Sequence, residues 1–217
     1  MPLTMFGGLT MEVAMRVSVP VLAVLAAALA TGPAVAGGVS PPDAAAFRAA
    51  ITVAADDLEP DTLLSTRTAH ARQVRLDGGT WGDGYLVARI DRRSGAARYE
   101  VHQRVRYIGQ RRDYAAVHYR LADGTLAIRP IAGDRRGEDV CSTGEFNGAC
   151  PLTSELVFPI EEGVLAAIVD GGAQGWDVKF KEADGDAGVR ATVPMAEIRG
   201  LMLAVADYRA GRLSPRG

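Results

Sequence analysis

Cysteine is nearly absent from this chain: Cys141 and Cys150 are its only two in 217 residues. That excludes a disulfide-dense scaffold, and the eight residues between them exclude the two-residue spacing of a redox pair at a helix start. Lysine is just as scarce, with Lys179 and Lys181 standing against a background of arginine. The net charge of −2 leaves no bulk excess that would name a partner. The local signatures of common enzyme classes are missing as well. There is no G-x-S-x-G elbow, no phosphate-cradling G-x-x-x-x-G-K, no H-E-x-x-H, and no G-x-G-x-x-G opening a helix after a strand. No cofactor is expected on these grounds.

What the chain does have begins near its start. Residues 15–36, MRVSVPVLAVLAAALATGPAVA, read as a secretory signal, with Arg16 as the positive end, an apolar run from Val21 to Ala30, and an A-x-A site at Ala34 and Ala36. Pro20 and Gly32-Pro33 interrupt the run, which leaves it short of the roughly 20 apolar residues a membrane span needs. No basic residue precedes Arg16, so Met15 offers an alternative start. No cysteine follows the cleavage site to carry a lipid. The expectation is a signal peptide over residues 1–36 and one exported domain over residues 37–217, periplasmic or secreted, with no membrane span in the mature chain. In an oxidising compartment Cys141 and Cys150 are expected to form one disulfide around the turn-rich segment STGEFNGA.

The mature chain divides into three parts. Residues 43–55, DAAAFRAAITVAA, predict a helix behind the start signals Pro41-Pro42 and Asp43, with Phe47 and Ile51 on one face. From about Arg72 to Ile131 the pattern is strand-like, and turn clusters at Asp77–Gly84, Arg92–Gly95, Gly109–Asp113 and Ala122–Gly124 divide it. Beyond the cysteines, Leu156–Pro159 and Ala191–Pro194 each lead into a helix, EEGVLAAIVD and MAEIRGLMLAVAD, and Trp176–Phe180 with Gly188–Val193 make a hairpin. The D-G-D-A-G of that turn lacks the later carboxylates of a calcium loop. In the second helix Ile198, Leu201, Met202, Val205 and Tyr208 share a stripe. The fold expected is α+β: an antiparallel β-meander sheet packed on one face by two C-terminal helices, with a short N-terminal helix at its side.

Candidate site residues come from the clearest strand. In Ala97–Tyr107, Tyr99, Val101, Val105 and Tyr107 face one way, while Arg98, Glu100, His102, Arg104 and Arg106 face the other. Tyr114–Leu121 repeats the scheme with Ala115, Val117, Tyr119 and Leu121 inward, and a tight turn between the two would set His102 against His118 or Arg120. Charge is uneven along the chain, Arg67–Arg136 holding 15 arginines against seven acids and Gly137–Ala183 nine acids against two lysines. The first block reads as a surface for anions, but the two halves lying side by side and neutralising each other is the better-supported reading.

A metal is not expected there: the only other histidine, His70, has no spacing to the pair, and Arg104, Arg106 and Arg120 would repel a cation. An anion suits the residues better. The expectation is a non-enzymatic envelope accessory or binding protein in which His102, Arg104, Arg106, His118 and Arg120 meet an anionic ligand or an acidic protein surface. Nucleic acid is disfavoured as a partner, because the aromatics on this strand point to the core face. The competing expectation is a small periplasmic hydrolase with a histidine base, His70 or His102, and Ser65 with Asp56, Asp57 and Asp61 in reserve.

Overall fold

The computed structural model describes residues 42–69, 74–76, 80–138, 150–185 and 187–214. The leader and Cys141 lie outside them. Among the described residues no helix is long and apolar enough to cross a membrane.

The first helix, α1 (Ala44–Ala50), is shorter than its sequence predicts. Asp43 caps it, its carboxylate accepting from the Ala46 amide at 2.8 Å, and Phe47 is buried. The helix stops where Ile51, Thr52 and Val53 begin a β-branched run, which loses rotamer freedom in a helix and fits a pleated strand. Residues 52–55 therefore form β1 (Thr52–Ala55), paired antiparallel with β2 (Asp61–Ser65).

The remaining strands are β3 (Val74–Leu76), β4 (Thr80–Asp91), β5 (Ala97–Tyr107), β6 (Tyr114–Arg120), β7 (Leu126–Pro130), β8 (Gly133–Glu138), β9 (Leu152–Ile160), β10 (Gly175–Glu182) and β11 (Gly188–Pro194). Two more helices complete the order: α2 (Glu162–Asp170) between β9 and β10, and α3 (Met195–Arg209) after β11. Among the described residues all pairings are antiparallel, in two sheets rather than one meander. One sheet has seven strands in the order β1-β2-β4-β5-β9-β8, with β3 also on β4; the other has four, β11-β10-β6-β7.

Gly82 and Gly84, expected in a turn, lie inside β4. The neighbouring strand explains them. Gln103 of β5 is buried on the inner face, donating to the Arg104 carbonyl at 2.9 Å, and a Cβ on Gly82 would come within 2.7 Å of its Nε2 and 2.5 Å of that carbonyl oxygen. The turn expected at Arg92–Gly95 forms, and there the Asp91 carboxylate accepts from the Ser94 amide at 2.6 Å and Gly95 takes a φ of 71°.

The alternation read in residues 97–107 matches the fold, with Tyr99, Val101, Val105 and Tyr107 buried. In β6 it holds for Val117 and Tyr119 but fails at Ala115, which is exposed. The ladder with β10 slips between Lys181 and Glu182, so Tyr114 is buried in its place.

The inner faces of the two sheets meet around Phe158 of β9. Its ring lies 5.9 Å from Tyr119, 6.2 Å from Trp176 and 5.9 Å from Phe180, all on the four-stranded sheet. The strands around β5 and β9 thus share their buried face with a second sheet as well as with helices. In α3, Ile198, Leu201 and Val205 are buried, and the helix lies against β2, β4, β11 and α1. Tyr208, one turn further, shares a 2.7 Å hydrogen bond with Thr62 of β2.

Candidate functional site

The residues expected to converge are divided between the two sheets. His102, Arg104 and Arg106 stand on the outer face of β5, whose neighbours are β4 and β9; His118 and Arg120 stand on β6, whose neighbours are β10 and β7. The hairpin setting His102 against His118 does not form. Six residues separate β5 from β6, with Gly109 at a φ of 112°, and they carry the chain from one sheet to the other. The apolar faces of the two strands are buried face to face across the core, which satisfies the same alternation as edge pairing would.

On β5 the polar face is internally neutralised. His102 lies between Glu100, 3.0 Å from its Nε2, and Glu155 of β9, 3.4 Å from its Nδ1. The Tyr85 hydroxyl donates to Glu155, and Arg89 holds Glu100 at 2.8 Å. The Arg67 guanidinium sits 5.4 Å above the Tyr85 ring. The hydrogen bond from His102 and the Arg89 guanidinium outweigh burial and bring the Glu100 carboxyl down to about 2. Burial pushes the Tyr85 hydroxyl up to about 12, helped by its bond to Glu155. Burial opposes ionisation of Glu155, but the hydrogen bonds from Tyr85 and His102 prevail and hold it below the ordinary range. Arg98 pairs with Asp61 at 2.6 Å, and Arg104 stands in register between Asp83 and Glu155.

This arrangement offers little to a hydrolase. Each nitrogen of His102 faces a carboxylate, so neither addresses a hydroxyl from which it could take a proton. Ser65 accepts from the Arg67 amide at 3.2 Å, Asp56 accepts from the Leu58 amide at 2.9 Å in a local turn, and Asp61 is taken by Arg98. Asp57 is exposed, 3.9 Å from Arg92. His70 lies outside the described residues.

On the four-stranded sheet the balance is different. One row crosses its outer face: Ile128 of β7 opposite His118 of β6, His118 opposite Lys179 of β10, and Lys179 opposite Arg190 of β11. Three cationic or basic side chains therefore occupy adjacent rungs. None has a side-chain hydrogen bond or ion pair among the described residues. The next row sets Arg120 beside Leu126, with Arg120 donating to the Gly124 carbonyl at 2.8 Å. The one acid on these rungs, Asp177, accepts from Thr192 at 2.6 Å. A cleft of about 480 Å³ is lined by His118, Arg120, Lys179 and Arg190 together with Trp176 and Leu126.

Lys179 and Arg190 were not among the residues singled out from the sequence. Alternation in 176–181 and 188–193 places them on a polar face, but their position beside His118 depends on β6 pairing with a strand some 60 residues later. Cys150 is exposed two residues before β9. The expected pairing with Cys141 falls outside the described residues, as does Asp186 of the D-G-D-A-G segment. In comparisons with known proteins the chain matches no family model, no curated protein and no solved structure.

Proposed function

We propose that this chain is an exported, non-enzymatic binding protein that takes an anionic ligand on the outer face of its four-stranded sheet. The carrying observation is the row His118–Lys179–Arg190, basic on three successive strands and without a carboxylate partner among the described residues. Like charges directly opposite on a sheet are destabilising, and an arriving anion removes that cost while gaining charge-assisted hydrogen bonds. The expected anion site thus keeps His118 and Arg120, gains Lys179 and Arg190, and gives up His102, Arg104 and Arg106, whose face is already supplied with acids. Export rests on the leader and its A-x-A site.

Titration of the mature chain with inorganic pyrophosphate by calorimetry tests the reading. Saturable binding that weakens tenfold or more in Lys179→Glu and Arg190→Glu, but not in Arg104→Glu, is the expected result. Equal binding by all three variants would overturn it.

A further inference from the structure

The cleft beside the basic row is not polar throughout. Its buried lining, the floor, is Trp176 from the sheet's inner face with Ile168 and Met195, and Leu121, the half-exposed Leu126 and one acid, Asp177, also line it. The floor is fixed in place: the Trp176 indole donates to the Arg120 carbonyl at 3.3 Å, and its ring meets Tyr119 edge-on at 5.1 Å. Gly171, Ala173 and Gly175, where α2 runs into β10, also line the cleft. On the outer face the apolar character continues along β7, where Leu126 and Ile128 are 53% and 54% exposed. Each stands directly opposite a basic residue, Leu126 against Arg120 and Ile128 against His118.

Apolar surface thus runs into basic surface in one direction across the strands. Ile128 marks the apolar end of its row and Arg190 the basic end, and neighbouring strands are about 4.8 Å apart. A compact inorganic anion would use only the basic end and leave Leu126, Ile128 and the cleft floor uncovered. A ligand with both characters would use all of it. The volume, about 480 Å³, falls within the range of roughly 300–1,000 Å³ that small-molecule sites occupy.

We infer that the ligand is a monomeric single-chain amphiphile: an anionic head group, phosphate or carboxylate, held by Lys179, Arg190 and His118, with a short apolar tail in the cleft toward Trp176 and Leu126. This rests on the anion reading above and specifies its ligand. A single molecule is favoured over a bilayer surface because Trp176, Ile168 and Met195 are buried in the cleft lining, whereas insertion into a membrane needs apolar residues to project. It is favoured over a second copy of the chain because two such faces would oppose basic row to basic row.

The test uses the mature chain in a Trp81→Phe background, so that Trp176 reports alone. Methyl phosphate, decyl phosphate below its micelle concentration, decanol, and phosphatidylglycerol vesicles are titrated separately. Decyl phosphate should bind at least tenfold tighter than methyl phosphate and perturb Trp176 emission. Lys179→Glu should weaken both phosphates, whereas Leu126→Ser should weaken decyl phosphate alone. Equal affinity for the two phosphates, both still dependent on Lys179, would overturn the amphiphile and leave the anion site standing. Decyl phosphate binding that ignores Lys179, or decanol binding as tightly as decyl phosphate, would overturn both readings. Vesicle binding without monomer binding would overturn the inference in favour of a membrane surface.

Discussion

Tyr85 and His102, opposite one another on β4 and β5, stack with ring centroids 4.7 Å apart and planes 20° from parallel, and both reach the same carboxylate, Glu155 of β9. Three adjacent strands are thereby tied on their outer face by one acceptor. Glu100 and Arg89 extend the network along β5 and back to β4. The tie is structural: every polar atom named in it is directed at another member, and the side chains of His102, Glu100 and Glu155 are only 12%, 21% and 18% exposed.

Replacing Tyr85 with Phe keeps the ring and removes the donor to Glu155. The carboxylate is then left with His102 at 3.4 Å as its remaining side-chain partner in the tie. A hydrogen bond to a charged group contributes about 1.5–3 kcal/mol, so Tyr85→Phe should lose stability of that order at neutral pH. The alkaline limb adds a sign. The hydroxyl is pushed up to about 12 in the fold against 10.0 for the ordinary side chain. Its contribution is therefore whole below pH 10 and is lost as pH rises from there toward 12. Thermal melts at pH 8 and pH 11 should show the gap between wild type and Tyr85→Phe narrowing at the higher pH.

Glu100 acts at the other end of the scale. Its carboxyl falls from 4.5 to about 2, chiefly through the hydrogen bond from His102. A depressed pKa stabilises the fold above the unfolded value, and that share disappears as pH falls from 4.5 toward 2. Glu100→Gln should cost on the order of 1–3 kcal/mol at pH 7 and flatten the acid limb of the stability curve across that window. Urea unfolding at a series of pH values checks it; parallel acid limbs in variant and wild type would refute the assignment.

The two-residue periodicity of 97–107 was legible in the sequence because burial of Tyr99, Val101, Val105 and Tyr107 is a local consequence of the pleat. Both C-terminal helices and the 176–193 hairpin were legible for the same reason, being short-range patterns. Partner choice was not. The chain offered β5 and β6 as sequence neighbours with matching apolar faces, and nothing local distinguishes edge pairing from face-to-face packing. Long-range partners decided it: β9 takes the edge of β5, and β10 takes the edge of β6. The site moved with that decision, since Lys179 and Arg190 reach His118 only through it. The break at Ile51 was readable from its β-branched run, but the helical stacking of Phe47 and Ile51 competed with it.

Gly200 tests the docking of α1 on α3. A Cβ there would come within 2.6 Å of the Phe47 Cβ and 2.9 Å of the Ala44 carbonyl oxygen. Backbone on one side and a buried aromatic on the other leave little room to yield. Gly200→Ala should therefore destabilise by about 1–3 kcal/mol despite the better helix propensity of alanine. Hydrogen exchange should show α1 losing protection first, while the β5–β9 ladder keeps it.

The two cysteines fall in the β8–β9 connection, whose last described rung pairs Glu138 with Leu152. Cys141 lies three residues after Glu138 and Cys150 two residues before Leu152. Replacing both with Ser should cost about 2–3 kcal/mol if they are bonded, by the chain-entropy estimate for so short a loop. The checking measurement is a pair of melts with and without reductant: wild type should fall to the level of the double variant on reduction, and the variant should not respond.

A binding surface made of like charges should be less stable empty than a compensated one, and the basic row makes that measurable. Lys179 stands between His118 and Arg190, facing both at cross-strand distance. Lys179→Glu replaces the repulsive rung with Arg190 by an attractive one, worth roughly 0.2–1 kcal/mol. The variant that binds anions worst should therefore melt higher than wild type in low salt. The difference should shrink at 1 M sodium chloride, where the Debye length is about 3 Å. Pyrophosphate should raise the wild-type melt and leave Lys179→Glu unmoved, because only the wild type gains from a bound counterion. If Lys179→Glu melts lower than wild type in low salt, the row is held by contacts other than charge and has no stability reserved for a ligand.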